Sequence, residues 1–361
     1  MKRLRFSNVE PQDFSKTIHS RVNQYFKEKG ISKAGNTEMY VKTAVMLSLY
    51  FAPYVLVLTG ILPVWGMLIM YLVMGVGLAG IGLCVMHDSN QEAFSDIKWV
   101  NKLFSYSMNV VGYSSYNWKV QHNVLHHTYT NVYGLDEDIH DKPFIRLSPH
   151  GKIKKHHRFQ HIYAPFLYCF STLSWLLYKD FVQLKVYRNT KISSKETRES
   201  ALNIPITITT KMLYIFYMIV LPMLLGVNWW IVAIGFVLMH MVAGMIITTI
   251  FQLAHVVEGP DHHDADESDM LEGTRAVHQL KTTANFAMKS RLVTWFAGGL
   301  NFQIEHHLFP TICHVHYRKI SKIVRETAKE YGLPYYHHPR MYKAVLSHLK
   351  MLKQFGQMQT T

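Results

Sequence analysis

Histidines lie singly or in short clusters at four places along the chain. The imidazole ring is a common ligand of transition metals. The chain has 22 histidines, nearly as many as its 24 acidic residues. The clustered residues are His87, the group His122, His126 and His127, the single His255, and the pair His306 and His307 with Gln303 before it. Burying many titratable rings together is costly unless something pairs with them, and a metal ion would do so. The clusters therefore predict a metal site.

The spacing within two clusters suits a helix. Residues at i, i+3 and i+4 share a helix face, so His122 and His126 are expected to converge on one point. The same rule brings Gln303 together with His306 and His307. Nitrogen-rich sites suit zinc, copper, iron or nickel. The spacing therefore names neither the metal nor the number of ions.

Two long intervals without a charged side chain predict the elements that position these histidines. Residues 43–86 and 212–257 contain no Lys, Arg, Asp or Glu. Each interval corresponds to about 65–70 Å of helix, enough to cross a hydrocarbon core of about 30 Å twice. Turns near Pro63 and Asn228 divide the intervals. We predict two helical hairpins with spans at about 43–62, 66–86, 212–226 and 229–254.

The basic residues lie on one side of these predicted spans. The formal net charge is +14, and all 38 Lys and Arg residues fall before residue 43, between 88 and 211, or after 257. The positive-inside rule assigns these segments to the cytoplasm, where they meet anionic headgroups. We expect a cytoplasmic N-terminal segment at 1–42, a cap at 88–211, a C-terminal cap at 258–361, and no nucleic-acid partner.

A third apolar stretch, 162–178, has a marginal length for a span, about 25 Å as a helix. A span there would place the histidine clusters on opposite sides of the membrane. We therefore expect an interfacial or re-entrant helix, with a fifth span as the alternative. Three cysteines far apart exclude a disulfide framework and a cysteine zinc site. No signal peptide is expected before the first span.

The chain resembles the integral-membrane fatty acid desaturases, most of all the front-end subgroup and its bacterial relatives. The resemblance rests on the His-Asp box at His87, the box His122-x-x-x-His126-His127, the box Gln303-x-x-His306-His307, and the segment that ends at His255. The superfamily also holds membrane hydroxylases. The resemblance implies an all-α integral membrane protein: four transmembrane helices in two hairpins, with a cytoplasmic helical cap that carries a histidine-rich di-metal site.

The resemblance also implies the site and the reaction. Two iron ions would reduce O2 as co-substrate, and a double bond would form in an acyl chain. The implied ligands are His87, His122, His126, His127, His255, His306 and His307, with Gln303 binding directly or through water. The first box departs from the family, because Gln91 stands where a histidine is usual. Either the site tolerates this amide, or the outcome changes to hydroxylation, or activity is lost.

The implied substrate is a fatty acyl group on coenzyme A, acyl carrier protein or a phospholipid, held in a tunnel between the spans. The heme motif of a fused cytochrome b5 domain, His-Pro-Gly-Gly, is absent from the sequence. We therefore expect an external electron donor, ferredoxin or cytochrome b5, on the basic face. The expected location is a bacterial inner membrane. A membrane metal transporter is the alternative from another class, although transport sites usually lie near the midplane of several spans.

Overall fold

The computed structural model describes residues 4–7, 9, 13–189, 194–267 and 269–358, and it is mostly helical. Four of its helices are long and apolar enough to cross a membrane. We number them span 1 (Thr37–Leu58), span 2 (Val64–Asn90), span 3 (Asn203–Leu224) and span 4 (Trp229–His255). The prediction of a mostly helical chain with four apolar helices is confirmed, but the chain also has short strand pairs that the all-α prediction did not include.

Spans 1 and 3 begin before the charge-free intervals do. Each helix includes one lysine that is buried rather than exposed, Lys42 at 1% exposure and Lys211 at 6%. Lys211 forms an ion pair with Asp180 at 2.8 Å, and the Lys42 ammonium lies 2.7 Å from a ring nitrogen of His314. Because each lysine has a buried partner, its charge does not end the helix.

Short turns join span 1 to span 2 and span 3 to span 4. The turn after span 1 has Gly60 at a φ of 67°, and Pro63 stands immediately before span 2. The turn after span 3 has Gly226 at a φ of 94°. Both glycines occupy the left-handed region, which is costly for residues with a Cβ atom, so they end the preceding helices.

Span 2 packs between spans 1 and 4 through small residues. A Cβ atom on Gly77 would lie 2.6 Å from the backbone nitrogen of Tyr50 in span 1. A Cβ atom on Gly75 would lie 2.6 Å from the carbonyl oxygen of Met239 in span 4. Small residues at such contacts allow helices in a membrane to approach closely. The packing fixes where span 2 ends, and that end carries His87.

Among the described residues four segments have π-helical turns, and two of them carry histidines or lead directly to one. The last turns of span 2 are π-helical over Ile81–Met86, directly before the short α-helix His87–Asn90. A second π-helix, Lys119–His126, contains most of the second histidine cluster. The other two are Trp175–Lys179 and Phe216–Val220. π-helical turns are rare in proteins overall, and those that occur are often found at functional sites.

The stretch at 162–178 is not one continuous helix. Helix Gln160–Tyr168 ends at a turn over residues 169 and 170, and the short helix Ser171–Ser174 follows. A Cβ atom on Gly244 of span 4 would lie 2.7 Å from the Tyr168 carbonyl oxygen, so this turn packs closely on span 4. None of the four helices of spanning length covers this stretch. Its placement at a membrane interface remains a prediction.

The structure has further helices outside the four spans. They are Phe14–Lys29, Lys98–Ser105, Ser107–Val110, Ser115–Trp118, Lys155–Phe159, Asp180–Asn189, Arg275–Thr282, Arg291–Phe296, Gln303–Leu308, His314–His316, Tyr317–Glu330 and Met341–Phe355. In the described residues, three parallel strand pairs tie these segments together. They are Arg5–Phe6 with Met270–Leu271, Val132–Tyr133 with His263–Asp264, and Ala284–Phe286 with Tyr336–His338.

Candidate metal centre

The seven predicted histidine ligands come together in one buried cluster, and none is more than 5% exposed. Six of them form two triads, and in each triad one ring nitrogen from every member lies within 4.8 Å of the others. The first triad is His87, His122 and His306, and the second triad is His126, His255 and His307. Three nitrogen ligands at this separation are suited to holding one metal ion.

His127 lies between the two triads. Its Nε2 atom is 3.2 Å from Nε2 of His122 and 3.0 Å from Nε2 of His306, both in the first triad. Its ring stacks on His307 of the second triad, with centroids 4.5 Å apart. The triads are therefore adjacent, and the cluster has the ligands for two neighbouring ions.

Two spans and two short helices position these rings. His87 lies near the end of span 2, and His255 is the last residue of span 4. Because both rings belong to the cluster, these two helix ends lie on the same side of the bundle. The other rings come from the π-helix Lys119–His126 with its following residue, and from helix Gln303–Leu308.

The spacing within the second and third boxes brings rings together as the sequence predicts. Ring nitrogens of His122 and His126 lie within 4.8 Å of each other and of a carboxylate oxygen of Asp138, although each ring also belongs to a different triad. The helix that carries them is a π-helix, in which the His127 backbone N–H donates to the His122 carbonyl at 3.0 Å. Ring nitrogens of His306 and His307 likewise lie within 4.8 Å of each other and of His127, so the candidate metal groups overlap.

Hydrogen bonds on the outer side of the rings fix their orientation. The Nδ1 atom of His126 donates to Asp136 at 3.0 Å, and that of His307 donates to Gln279 at 2.7 Å. The remaining Nδ1 partners are Asp88 for His87 at 3.2 Å, the Thr282 carbonyl for His255 at 3.4 Å, and the Tyr317 hydroxyl for His306 at 3.4 Å. Histidines that bind metals are held in this way, with the outer nitrogen bonded to the protein.

Four of the six inner triad nitrogens lack partners. The Nε2 atoms of His87, His126, His255 and His307 are buried and have no hydrogen bond within the described part of the chain. Buried polar atoms are nearly always paired, so four such nitrogens in one cluster need an explanation. A metal ion in each triad would satisfy them. The donor set therefore fits a transition metal that accepts imidazole ligands.

Burial keeps most of these rings neutral. It lowers the pKa of His122, His127, His306 and His307, and neighbouring imidazoles lower it further. A neutral imidazole has the free lone pair that a metal requires. Burial also opposes a charge on His126, but the Asp136 carboxylate outweighs it and raises the pKa of this ring.

Both glutamines singled out in the sequence are buried beside the histidines. Gln91 is 5% exposed, and its amide nitrogen lies 3.1 Å from Nε2 of His127. The Gln91 side chain thus contacts the ring of His127, which lies between the two triads. Gln303 is 1% exposed on helix Gln303–Leu308, and its amide nitrogen has no hydrogen-bond partner among the described residues.

Other histidines lie outside the cluster. His240 in span 4 is buried, and its ring nitrogens contact the Tyr214 hydroxyl at 2.9 Å and the Thr172 hydroxyl at 3.2 Å, which supports a structural role. His262 and His263 belong to neither triad, and His263 lies in a strand pair.

Several contacts of the cluster carry no signal in the sequence. The Trp118 indole stacks on the His122 ring at a centroid distance of 4.4 Å. Gln279 and Tyr317 lie on helices with no histidine box, and each contacts a clustered ring. The contacts of Gln279 and Tyr317 depend on tertiary packing.

Comparisons with known proteins agree with this geometry. The fatty acid desaturase family model matches residues 38–339. The chain is 35% identical over 360 residues to the sn-1 linoleoyl-lipid 6-desaturase of Synechocystis sp., with 98% of each chain covered. It is 33% identical over 343 residues to the enzyme of the same name from Arthrospira platensis, covering 95% of this chain and 92% of that one. The acyl-lipid (8-3)-desaturase of Physcomitrium patens is 33% identical over 356 residues, covering 98% and 74%. The chain therefore belongs to the fatty acid desaturase family.

Proposed function

We propose that this protein is an oxygen-dependent acyl desaturase that uses two iron ions held by the histidine cluster. The observation that carries the proposal is the pair of adjacent triads, in which four inward nitrogens have no hydrogen-bond partner among the described residues. Family membership indicates the reaction class, and the two triads are the site that we propose for the reaction. The proposed ligands are the six triad histidines and His127, with Gln303 and Gln91 as further candidates.

Iron fits the reaction better than the other metals that accept imidazole. Bound iron would supply the redox chemistry that removes two hydrogens from adjacent methylenes, which no side chain performs alone. Zinc has no redox chemistry and could not do so. The protein's own part is to hold the rings neutral and oriented, through partners such as Asp136 and Gln279.

We further propose that the four spans cross the membrane as two hairpins, with both termini and the metal centre on the cytoplasmic side. The supporting observations are the absence of Lys and Arg from the two short turns and the meeting of spans 2 and 4 at the cluster. A metal transporter would need polar sites along the spans. The buried His240 is occupied by protein hydroxyls, which favours the enzyme.

The substrate is proposed to be an acyl chain carried on a membrane lipid. Two relatives with about a third of their residues identical are named linoleoyl-lipid 6-desaturases, and a third is named an acyl-lipid desaturase. A substrate that is itself a lipid reaches a membrane enzyme by diffusion in the bilayer. The acyl chain would pass between the spans to the triads. Electrons would come from ferredoxin or cytochrome b5 docked on the basic face.

Lipid analysis in a host without polyunsaturated lipids tests this function. The host is supplied with linoleate and expresses the parent chain, His307→Gln or His157→Gln, at matched protein levels. His157 is a suitable control because it is 2% exposed but belongs to neither triad. We expect the parent and His157→Gln to give an acyl chain with one more double bond, and His307→Gln to give none. A product with an added oxygen would indicate hydroxylation, and no product from the parent would reject the proposal.

A further inference from the structure

A buried chain of polar side chains connects span 1 to the first triad. Its members are Lys42 of span 1, His314, Asp88 and the triad member His87. They come from three distant parts of the sequence, and none is more than 2% exposed. We name Lys42, His314 and Asp88 the ligand brace. Burying three polar groups inside a membrane protein costs folding free energy, so such groups usually have a functional role.

The hydrogen bonds of the ligand brace converge on the Asp88 carboxylate, which accepts from both sides. The Lys42 ammonium, which can only donate, lies 2.7 Å from Nε2 of His314. Nδ1 of His314 must then carry the proton that it donates to Oδ2 of Asp88 at 2.7 Å. The other oxygen of Asp88 lies 3.2 Å from Nδ1 of His87. Each group thus fixes the donor or acceptor role of the next.

The surroundings of the ligand brace show that Lys42 and Asp88 balance each other. The Lys42 ammonium also lies 5.5 Å from the ring centre of Trp295, a contact that favours a cation. The Oδ2 atom of Asp88 accepts a second bond, from the His314 backbone N–H at 3.1 Å. A buried cation and a buried anion are joined through one neutral ring. Removing the cation would leave the carboxylate uncompensated.

We propose that Lys42 and His314 are positioning residues for His87, acting through Asp88. They hold the Asp88 carboxylate in place, and Asp88 fixes the tautomer of His87 so that its Nε2 atom faces the first triad. The inference rests on the proposed metal ligands. It adds that a residue of span 1 supports one of the two metal positions.

The ligand brace reaches the two triads unequally. Its terminal contact is with His87 in the first triad, whereas the second triad has its own outer partners, Asp136 and Gln279. Loss of the ligand brace is therefore expected to weaken one iron position and spare the other. A general loss of folding would weaken both.

The test measures iron in purified full-length chains, loaded with ⁵⁷Fe and titrated with a chelator. Lys42→Met is expected to lose one of two irons at about ten-fold lower chelator, the size typical of an outer partner. Its Mössbauer spectrum should change at one site only. Lys42→Arg, which keeps the charge, should restore most of the affinity. Arg146→Met is the control, because Arg146 is a buried cation bonded to the carbonyls of Gly151 and Met358 and to neither triad.

A second pair of variants covers the case in which Lys42→Met does not fold. A glutamine at 314 can donate to Asp88 and accept from Lys42, and a leucine can do neither. We expect His314→Gln to keep both irons and His314→Leu to lose one. Equal iron affinity in these two variants, or parental affinity in a folded Lys42→Met, would overturn the proposal that the ligand brace positions His87. A parent chain that binds fewer than two irons overturns the proposed function instead.

Discussion

Replacing Asp136 with asparagine should weaken iron binding in the second triad. The Asp136 carboxylate is 1% exposed and accepts the Nδ1 proton of His126 at 3.0 Å. It also accepts the backbone N–H of Asn131 and of Asp138, each at 3.0 Å. Asn has one acceptor oxygen where Asp has two, so at least one of these three donors loses its partner. A buried donor without a partner costs about 1–3 kcal/mol.

Part of that cost appears as lost metal affinity. Outer partners of metal-binding histidines are worth about 10–100-fold in affinity, or about 1.4–2.7 kcal/mol. We expect Asp136→Asn to release one iron at a 10–100-fold lower chelator concentration than the parent, measured by the iron retained per chain. The matched control is Asp138→Asn, because Asp138 is 25% exposed and lies 3.6 Å from the same ring nitrogen. Equal loss in the two variants, or no loss in Asp136→Asn, would refute the role given to Asp136.

Three further predictions concern the first box, an ion pair and the electron donor. Gln91→His should keep desaturase activity within a few-fold in the lipid assay, and an inactive parent rescued by this change would show that Gln91 disables the site. Lys211→Met should lower the free energy of unfolding by about 3–5 kcal/mol, because it leaves the buried Asp180 unpaired; an unchanged melting temperature in detergent would contradict this. Raising salt from about 0.1 M to about 1 M shortens the Debye length from about 10 Å to about 3 Å and should slow turnover with a purified acidic donor, whereas a constant rate would reject docking on the basic face.

The helical spans and the histidine clusters were predictable because their signals are local. A helix in lipid must be apolar over about 20 residues, whatever the rest of the chain does. The exact starts of spans 1 and 3 were not predictable in the same way. Lys42 and Lys211 look like helix ends in the sequence, and their buried partners come from distant positions.

The i, i+4 rule correctly predicted that His122 and His126 come together, although the helix that carries them, Lys119–His126, is a π-helix. The outer partners of the rings depended on geometry that the sequence does not display. Gln279 and Tyr317 reach the rings through packing between helices that are far apart in sequence. Asp136 lies ten residues after His126 in the sequence, and its burial beside that ring supports its role as a partner of the ring.

Metal analysis of the purified protein tests the central claim most directly. Elemental analysis with X-ray absorption at the iron edge, on a chain loaded during expression, reports the metal, its number and the metal–metal distance. The account predicts two irons per chain, bound mainly by nitrogen and about 4 Å apart, as in paired metal sites. A chain that carries zinc, or one iron alone, or two irons too far apart to act together, would contradict it.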